Sequence, residues 1–164
     1  MTSDKTPLTS PGIRIGIPPL IFALCIVTAL LLEVFLFDEI ALLAIVPPLL
    51  RLVIGFVVAF AGFAFMGWGF LHFASVGTSA NTAMPASQLV RQGAFAISRN
   101  PMYVGFVAIL LGLGIAINSL PLIFSAPVMF VYLDRYVIRR EEGYLQQSFG
   151  SDYAAYCSRV RRWL

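Results

Sequence analysis

The chain has 164 residues, of which 59% are hydrophobic and only 12% are charged, and its mean hydropathy is +0.87. This composition excludes an ordinary soluble domain and predicts an all-α integral membrane protein. The net charge of +3 does not indicate nucleic-acid binding, because arginines beside membrane helices more often meet anionic lipid headgroups.

The chain divides into three parts along its length. Residues 1–14 are polar and predict a mobile cytoplasmic arm. Residues 15–74 hold two apolar stretches and residues 75–164 hold two more, and each is close to the length of about 20 residues that a transmembrane helix requires. The four predicted spans are 15–37, 49–74, 102–117 and 120–138. The last two are joined by a short uncharged link, which predicts a tight helical hairpin.

The distribution of basic residues predicts the orientation of these helices. Only Arg51 falls on one side of the predicted spans. Because cytoplasmic loops carry the excess of Lys and Arg, both termini are expected to be cytoplasmic, in a bacterial-type cytoplasmic membrane. The residues on the other side are Lys5, Arg14, Arg91, Arg99, Arg135, Arg139, Arg140, Arg159, Arg161 and Arg162.

Cysteine usage predicts no disulfide and no metal site. Cys25 lies inside the first predicted helix, whereas Cys157 lies in the cytoplasmic tail. The two thiols therefore cannot meet in an oxidising compartment.

The connection from about 75 to 101 is long for a compact protein and polar along much of its length. Connections of this length are usually functional or disordered. Leu89, Val90, Phe95 and Ile97 oppose disorder, because an unstructured polar linker would not carry them. We therefore predict an ordered functional loop.

The segment after the fourth span predicts amphipathic helices at the membrane surface, because apolar residues recur every three or four positions opposite a basic face. Gly150 is expected to divide this segment into two helices. Trp163, like Trp68, is interpreted as a membrane-interface anchor. The apolar positions are Leu145, Phe149, Tyr153, Tyr156, Val160 and Trp163.

Two polar clusters, 99–103 and 139–142, face the same end of the predicted hairpin. Glu142 follows Arg139 by three residues and Arg135 by seven, so helical spacing predicts an ion pair with one of them. Glu141 shares a helical face with the apolar residues three positions before it and four positions after it, which predicts that it is directed inward. Either it contacts a cationic or hydroxyl-rich ligand, or it pairs with Arg99 or Arg140 and joins two helices.

Two further polar residues have two interpretations each. Glu33 either lines a substrate path, since intramembrane carboxylates are costly, or reaches the interface near the helix end. His72, at the end of the second span, is either a catalyst or an interfacial residue, and the second interpretation is preferred.

Two segments of the chain resemble a known family. They are GAFAISRNPMYVG at 93–105 and EEGYLQQSFGSDYAAYCSRVRR at 141–162. In order and spacing they resemble the C-terminal signature of the isoprenylcysteine carboxyl methyltransferase family, which is related to the phospholipid N-methyltransferases. The resemblance covers about half of the chain and identifies residues 75–164 as a methyltransferase core with a cytoplasmic cofactor loop. It implies S-adenosylmethionine as cofactor and methyl transfer to a lipophilic or membrane-embedded acceptor.

The resemblance also implies which residues contact the cofactor. Loop residues would surround its adenosine end, the start of the third helix would line it, and Glu141 would hold its ribose or amino-acid end. The implied set is Ser87, Gln88, Leu89, Val90, Phe95, Asn100, Pro101, Met102, Tyr103, Glu141 and Glu142.

Two departures from the family pattern leave the acceptor open. Asn100 stands where many family members have His, so catalysis by placement and desolvation is expected rather than catalysis by a titrating base. Val137 stands where a substrate-contacting Arg is found in the eukaryotic branch. The residues that could orient the substrate instead are Arg99, Arg135, Arg139 and Arg140.

The resemblance implies that the acceptor is a carboxylate, an isoprenylcysteine-like group or an amine headgroup. The alternative from another functional class is a small membrane scaffold or accessory subunit that retains the fold without the chemistry.

Overall fold

A computed structural model describes residues 17–36, 45–75 and 89–164 of the chain. These ranges form five α-helices and contain no strand, which confirms the all-α prediction. The predicted arm at 1–14 lies outside the described residues. The helices are α1 Ile17–Leu36, α2 Pro48–Ser75, α3 Pro101–Ile117, α4 Leu120–Tyr132 and α5 Arg139–Cys157.

Within these described ranges, three helical stretches are long and apolar enough to cross a bilayer: Pro18–Phe35, Pro48–Ala74 and the continuous Leu120–Cys157. Large apolar side chains on their surfaces are exposed, among them Phe60 at 71%, as expected for surfaces that meet lipid. Four spans were predicted and the structure supports three. The 17-residue α3 is shorter than the roughly 20 residues that a straight span takes.

Glycines hold α2 and α3 in close contact. A Cβ atom added at Gly55 would lie closer than 3.0 Å to the backbone of Gly112 and Ala116, and one added at Gly105 would meet the Gly62 carbonyl in the same way. Small residues let two membrane helices approach until their backbones touch, which maximises dispersion contacts. This packing places the start of α3 beside the end of α2.

Only Asn118 and Ser119 connect α3 to α4. Asn118 ends α3 in the left-handed conformation with φ 60°, a conformation that Asn tolerates better than most residues. Ser119 begins α4, where its hydroxyl accepts a hydrogen bond from the Leu122 amide. The same hydroxyl donates to Glu33 Oε2 at 2.6 Å, which joins α4 to α1.

A π-helical turn at Leu133–Ile138 leads from α4 into α5 without a break. The buried core of the molecule follows this path through Met129, Leu133 and Ile138. Gly150 has φ 48° and ψ −119°, so α5 bends there, where the sequence predicted a division. After Cys157 the chain turns back toward the start of α3.

Candidate active site

The described part of the predicted cofactor loop, residues 89–100, packs against the end of α2 and against α5. Val90 and Phe95 are buried, and the Phe95 ring meets Phe73 of α2 edge to face at 4.7 Å. Tyr156 donates a hydrogen bond to the Phe95 carbonyl at 2.6 Å. The loop is thus ordered next to α3, although Ile97 is half exposed. Ser87 and Gln88 lie outside the described residues.

Gly93 explains how this loop fits against α2. Its φ is +60°, and a Cβ atom at this position would lie 3.2 Å from His72 Nδ1 and 3.3 Å from Trp68 Nε1. A side chain would therefore be both strained and crowded. The imidazole of His72 consequently lies beside the 3₁₀ turn Gly93–Ala96.

Tyr103 and Glu141 form the central contact of the site. The Tyr103 hydroxyl donates to Glu141 Oε1 at 2.6 Å, from α3 to α5. Tyr103 is also stacked near Phe106, which in turn stacks on Phe22 of α1. Glu141 therefore faces inward as predicted, but its partner is a tyrosine, so the alternative that Glu141 pairs with Arg99 or Arg140 is wrong.

Glu142 is the ion-pair residue of the site. It lies 3.1 Å from Arg99 Nη1 and accepts two hydrogen bonds from Arg162, at 3.0 and 2.6 Å. Pairing was predicted correctly, but the predicted partners, Arg139 and Arg135, were wrong. Both of those side chains are exposed.

The π-helical turn is the physical reason for the error about Arg135, whereas Arg139 and Glu142 both lie in α5 and are not separated by the turn. Each α-helical residue advances by about 100°, so residues seven apart share a face and residues eight apart do not. A π turn accommodates one additional residue and shifts the phase. Asp134 and Glu142, eight apart, consequently face the same cation: Arg162 Nη1 lies 3.2 Å from Asp134 Oδ1.

The segment 158–164, here called the C-terminal strap, completes the site and was missed by sequence reasoning. Arg99 donates its amide to the Arg161 carbonyl at 3.0 Å, and Asn100 Nδ2 donates to the Arg162 carbonyl at 2.9 Å. Trp163 Nε1 donates to Asp134 at 3.0 Å while its ring packs on Phe130 at 4.4 Å. Trp163 is thus held by contacts within the protein, in addition to its predicted place at the interface.

Electrostatics within the strap favour the charged form of Arg162. Its hydrogen bonds to Glu142, and the nearby charges of Glu142 and Asp134, raise the pKa of the guanidinium above its ordinary value. Three features of the sequence could have indicated the role of the strap. They are the second Arg of the motif VRRW, the eight-residue spacing between Asp134 and Glu142, and the amphipathic pattern that continues to Trp163.

The structure brings most of the implied cofactor residues to one end of the helices. Pro101 is buried, Tyr103 is buried, and Met102 is partly buried at the start of α3. Asn100 begins the helix, and its side-chain amide is bound to the strap. The described residues of the implied set at this end are Leu89, Val90, Phe95, Asn100, Pro101, Met102, Tyr103, Glu141 and Glu142.

The four arginines predicted to orient a substrate differ in placement. Arg99 is largely buried and is occupied by Glu142, by Cys157 Sγ at 2.6 Å and by the Tyr153 hydroxyl at 3.3 Å. Arg135 on the π-helical turn is exposed, as are Arg139 and Arg140 at the start of α5. The three exposed arginines are therefore the ones available at the surface of the site.

An apolar groove of about 540 Å³ lies between α1 and α4. Its walls include Leu24 and Leu32 from α1 and Leu120, Phe124 and Val128 from α4. The groove ends at Val128, which is about 20 Å along the helix from Glu141 at about 1.5 Å per residue. It thus occupies the membrane-spanning part of the fold on the far side from the polar site.

Comparison with known proteins gives a family match that includes Tyr103, Glu141 and Glu142 but ends before the C-terminal strap. Residues 50–152 match the family described as phospholipid methyltransferase. An uncharacterized protein of Haemophilus influenzae is 32% identical over 63 residues, which are 38% of this chain and the whole of that protein. No solved structure matches the chain.

Proposed function

This chain belongs to the phospholipid methyltransferase family, and we propose that it transfers a methyl group from S-adenosylmethionine to a membrane lipid at the cytoplasmic face. The observation that carries the proposal is the inward Glu141 held by Tyr103 next to the ordered loop. A membrane scaffold has no need for a partly buried carboxylate at this position, because burying such a charge without a ligand is costly.

The residues of the site fit the chemistry of this cofactor. In the described part of the chain, every ion pair near α5 involves Glu142, Asp134 or Asp152, and none involves Glu141. Glu141 therefore has no ion-pair partner among the described residues and is available to a cationic or hydroxyl-bearing ligand, and S-adenosylmethionine carries an ammonium, a sulfonium and ribose hydroxyls. We assign Glu141 to the ribose or amino-acid end, and Val90, Phe95 and Met102 to the apolar adenosine and methyl surroundings.

S-Adenosylmethionine supplies an electrophilic methyl group on a sulfonium, and the protein supplies placement. Tyr103 orients Glu141, and Pro101 with buried Val90 limits water near the ligand. Displacement at a sulfonium gains from alignment and from exclusion of water, because charge is reduced on the way to the transition state when the nucleophile is anionic. Arg139, at the exposed rim, is assigned to the lipid headgroup.

The groove between α1 and α4 is assigned to the aliphatic chains of the lipid. Its wall is apolar and lies within the helices that cross the bilayer. A lipid whose tails occupy this groove extends its headgroup past Val128 along α4 toward α5, where Glu141 lies. The cytoplasmic face is supported by the bias of arginines toward that end. A fluorescent protein fused after Leu164 should fluoresce if the C-terminus is cytoplasmic. A non-fluorescent fusion would indicate the opposite orientation.

Binding of S-adenosylhomocysteine to the purified protein in detergent micelles, measured by calorimetry, tests the proposal. The unaltered protein should bind, and Glu141→Gln should weaken binding about tenfold, the usual scale for a charged hydrogen-bonding group. Asp152→Asn is the matched control, because Asp152 is an exposed carboxylate on the same helix. Absence of binding by the unaltered, folded protein would overturn the proposal.

The acceptor is identified by incubating membranes with methyl-labelled S-adenosylmethionine, with and without the protein. Label should enter the lipid fraction only when the protein is present. Release of the label by mild base as volatile methanol identifies a carboxyl methyl ester, whereas label that stays non-volatile after base treatment identifies an amine headgroup. Cofactor binding without labelled lipid would favour the scaffold or accessory alternative.

A further inference from the structure

We propose that Arg162 of the C-terminal strap is a positioning residue that sets the direction of Glu141 through Glu142 and Asp134. This inference rests on the proposed function, since it assigns the strap a role in cofactor binding. It concerns a residue that lies 21 positions after Glu141 and makes no hydrogen bond to it in the described structure.

The backbone of the strap is fixed against the start of α3. Arg99 donates its amide to the Arg161 carbonyl, and the Arg162 carbonyl accepts from Asn100 Nδ2 at 2.9 Å and from Ser98 Oγ at 3.4 Å. Ser98 is fully buried. Hydrogen bonds from the three consecutive residues 98–100 therefore hold Arg161 and Arg162 in one place relative to Tyr103. Tyr103 follows Asn100 by only three residues.

The side chain of Arg162 is fixed against the opposite element. Its Nε and Nη2 contact both oxygens of Glu142, and its Nη1 contacts Asp134. A planar guanidinium that makes a two-point contact restrains direction as well as distance. One cation thus joins Asp134 of the π-helical turn to Glu142 of α5, and Trp163 adds a second bond to the same Asp134 oxygen.

The consequence for Glu141 follows from helix geometry. Glu141 and Glu142 are neighbours on α5, about 100° apart around the axis, so restraining Glu142 also fixes the rotation of Glu141. A π-helical turn can move along a helix. Such a movement would rotate α5 about its own axis by an angle similar to the roughly 100° between neighbouring residues. Arg162 opposes that movement because it requires Asp134 and Glu142 to face the same side.

Calorimetry with S-adenosylhomocysteine on a double-mutant cycle tests the inference. Arg162→Ala should raise the Kd about tenfold in the unaltered background and less than about twofold in the Glu141→Gln background. Arg162→Lys keeps the charge without the two-point contact and should restore only part of the affinity. Arg161→Ala, which removes an exposed neighbouring arginine side chain, is the matched control and should bind normally.

A tenfold loss in both backgrounds would overturn the inference, because the two residues would then act independently. Normal binding by Arg162→Ala would also overturn it. Absence of binding by the unaltered protein would refute the proposed function instead. In that case amide hydrogen exchange still decides: Arg162→Ala should accelerate exchange at 133–145 but not in α2, and unchanged exchange at 133–145 would overturn the positioning role.

Discussion

Tyr103 on α3 donates a hydrogen bond of 2.6 Å to Glu141 on α5, and this contact joins two segments that are 38 residues apart in the chain. Tyr103 is buried, with 8% of its surface exposed. The hydroxyl therefore has a structural partner and the carboxylate has an oriented donor. The contact connects the two motifs that carry the family resemblance.

Tyr103→Phe should weaken S-adenosylhomocysteine binding about tenfold, because loss of a hydrogen bond to a charged group costs about 1.5–3 kcal/mol. Stacking on Phe106 should persist, since the ring remains. Tyr136→Phe is the control, because Tyr136 is 61% exposed and contacts Tyr132 through its ring. Equal binding of S-adenosylhomocysteine by the two variants would show that the Tyr103 hydroxyl does not contribute to the site. Calorimetry in micelles measures both.

Glu142→Gln should lower the free energy of unfolding by about 2 kcal/mol, because two guanidinium groups lose their shared carboxylate. A fully buried pair would cost about 3–5 kcal/mol, and partial exposure of Arg162 reduces the effect. Asp152→Asn breaks the exposed 3.7 Å pair with Arg91 and should cost less than about 1 kcal/mol. Denaturant titration in micelles would contradict this if both variants were equally stable.

Gly55→Val should lower the free energy of unfolding by about 1–3 kcal/mol, because the added atoms would overlap the backbone of α3. Gly67→Ala in the same helix is the matched control. Nothing lies within 4 Å of a Cβ atom there, so this change should stabilise α2 by up to about 1 kcal/mol. Thermal unfolding followed by circular dichroism separates the two. A stabilised Gly55→Val would show that α2 and α3 are not in backbone contact.

Ser119→Ala should cost about 1 kcal/mol or more, because it removes the cap of α4 and the donor to Glu33. Glu33→Gln keeps an acceptor oxygen for Ser119 and should change stability little. Since Ser119 begins α4 and the polar site lies beyond its other end, Glu33→Gln should leave lipid labelling within about twofold. Strongly reduced labelling by this variant would place Glu33 on the substrate path.

Local patterns in the sequence were sufficient for several features. Apolar runs predicted helices, because bilayer thickness and helix rise determine their length. Gly150 predicted the bend in α5, since its φ of +48° is strained for residues with a Cβ atom. The inward direction of Glu141 followed from its spacing to apolar neighbours. The family-related motifs predicted that Tyr103 and Glu141 belong to one site.

Other features depended on contacts that no local pattern contains. Arg135 was mispredicted as a partner of Glu142 because the π-helical turn at Leu133–Ile138 changes the phase of the helix, and nothing in a spacing of seven residues reports that turn. The strap was missed because Arg162 meets Asp134 only after the chain reverses beyond Cys157.

Composition and periodicity thus determined that this chain is helical, membrane-embedded and polar at one end. Burial of apolar surface depends on overall composition, and hydrogen bonds within a helix join residues that are close in sequence. Which cations pair with Glu142, and which side chain holds Glu141, was decided by tertiary structure alone. That decision depends on a helix phase and on a returning strap, and both exist only when segments distant in sequence are packed together.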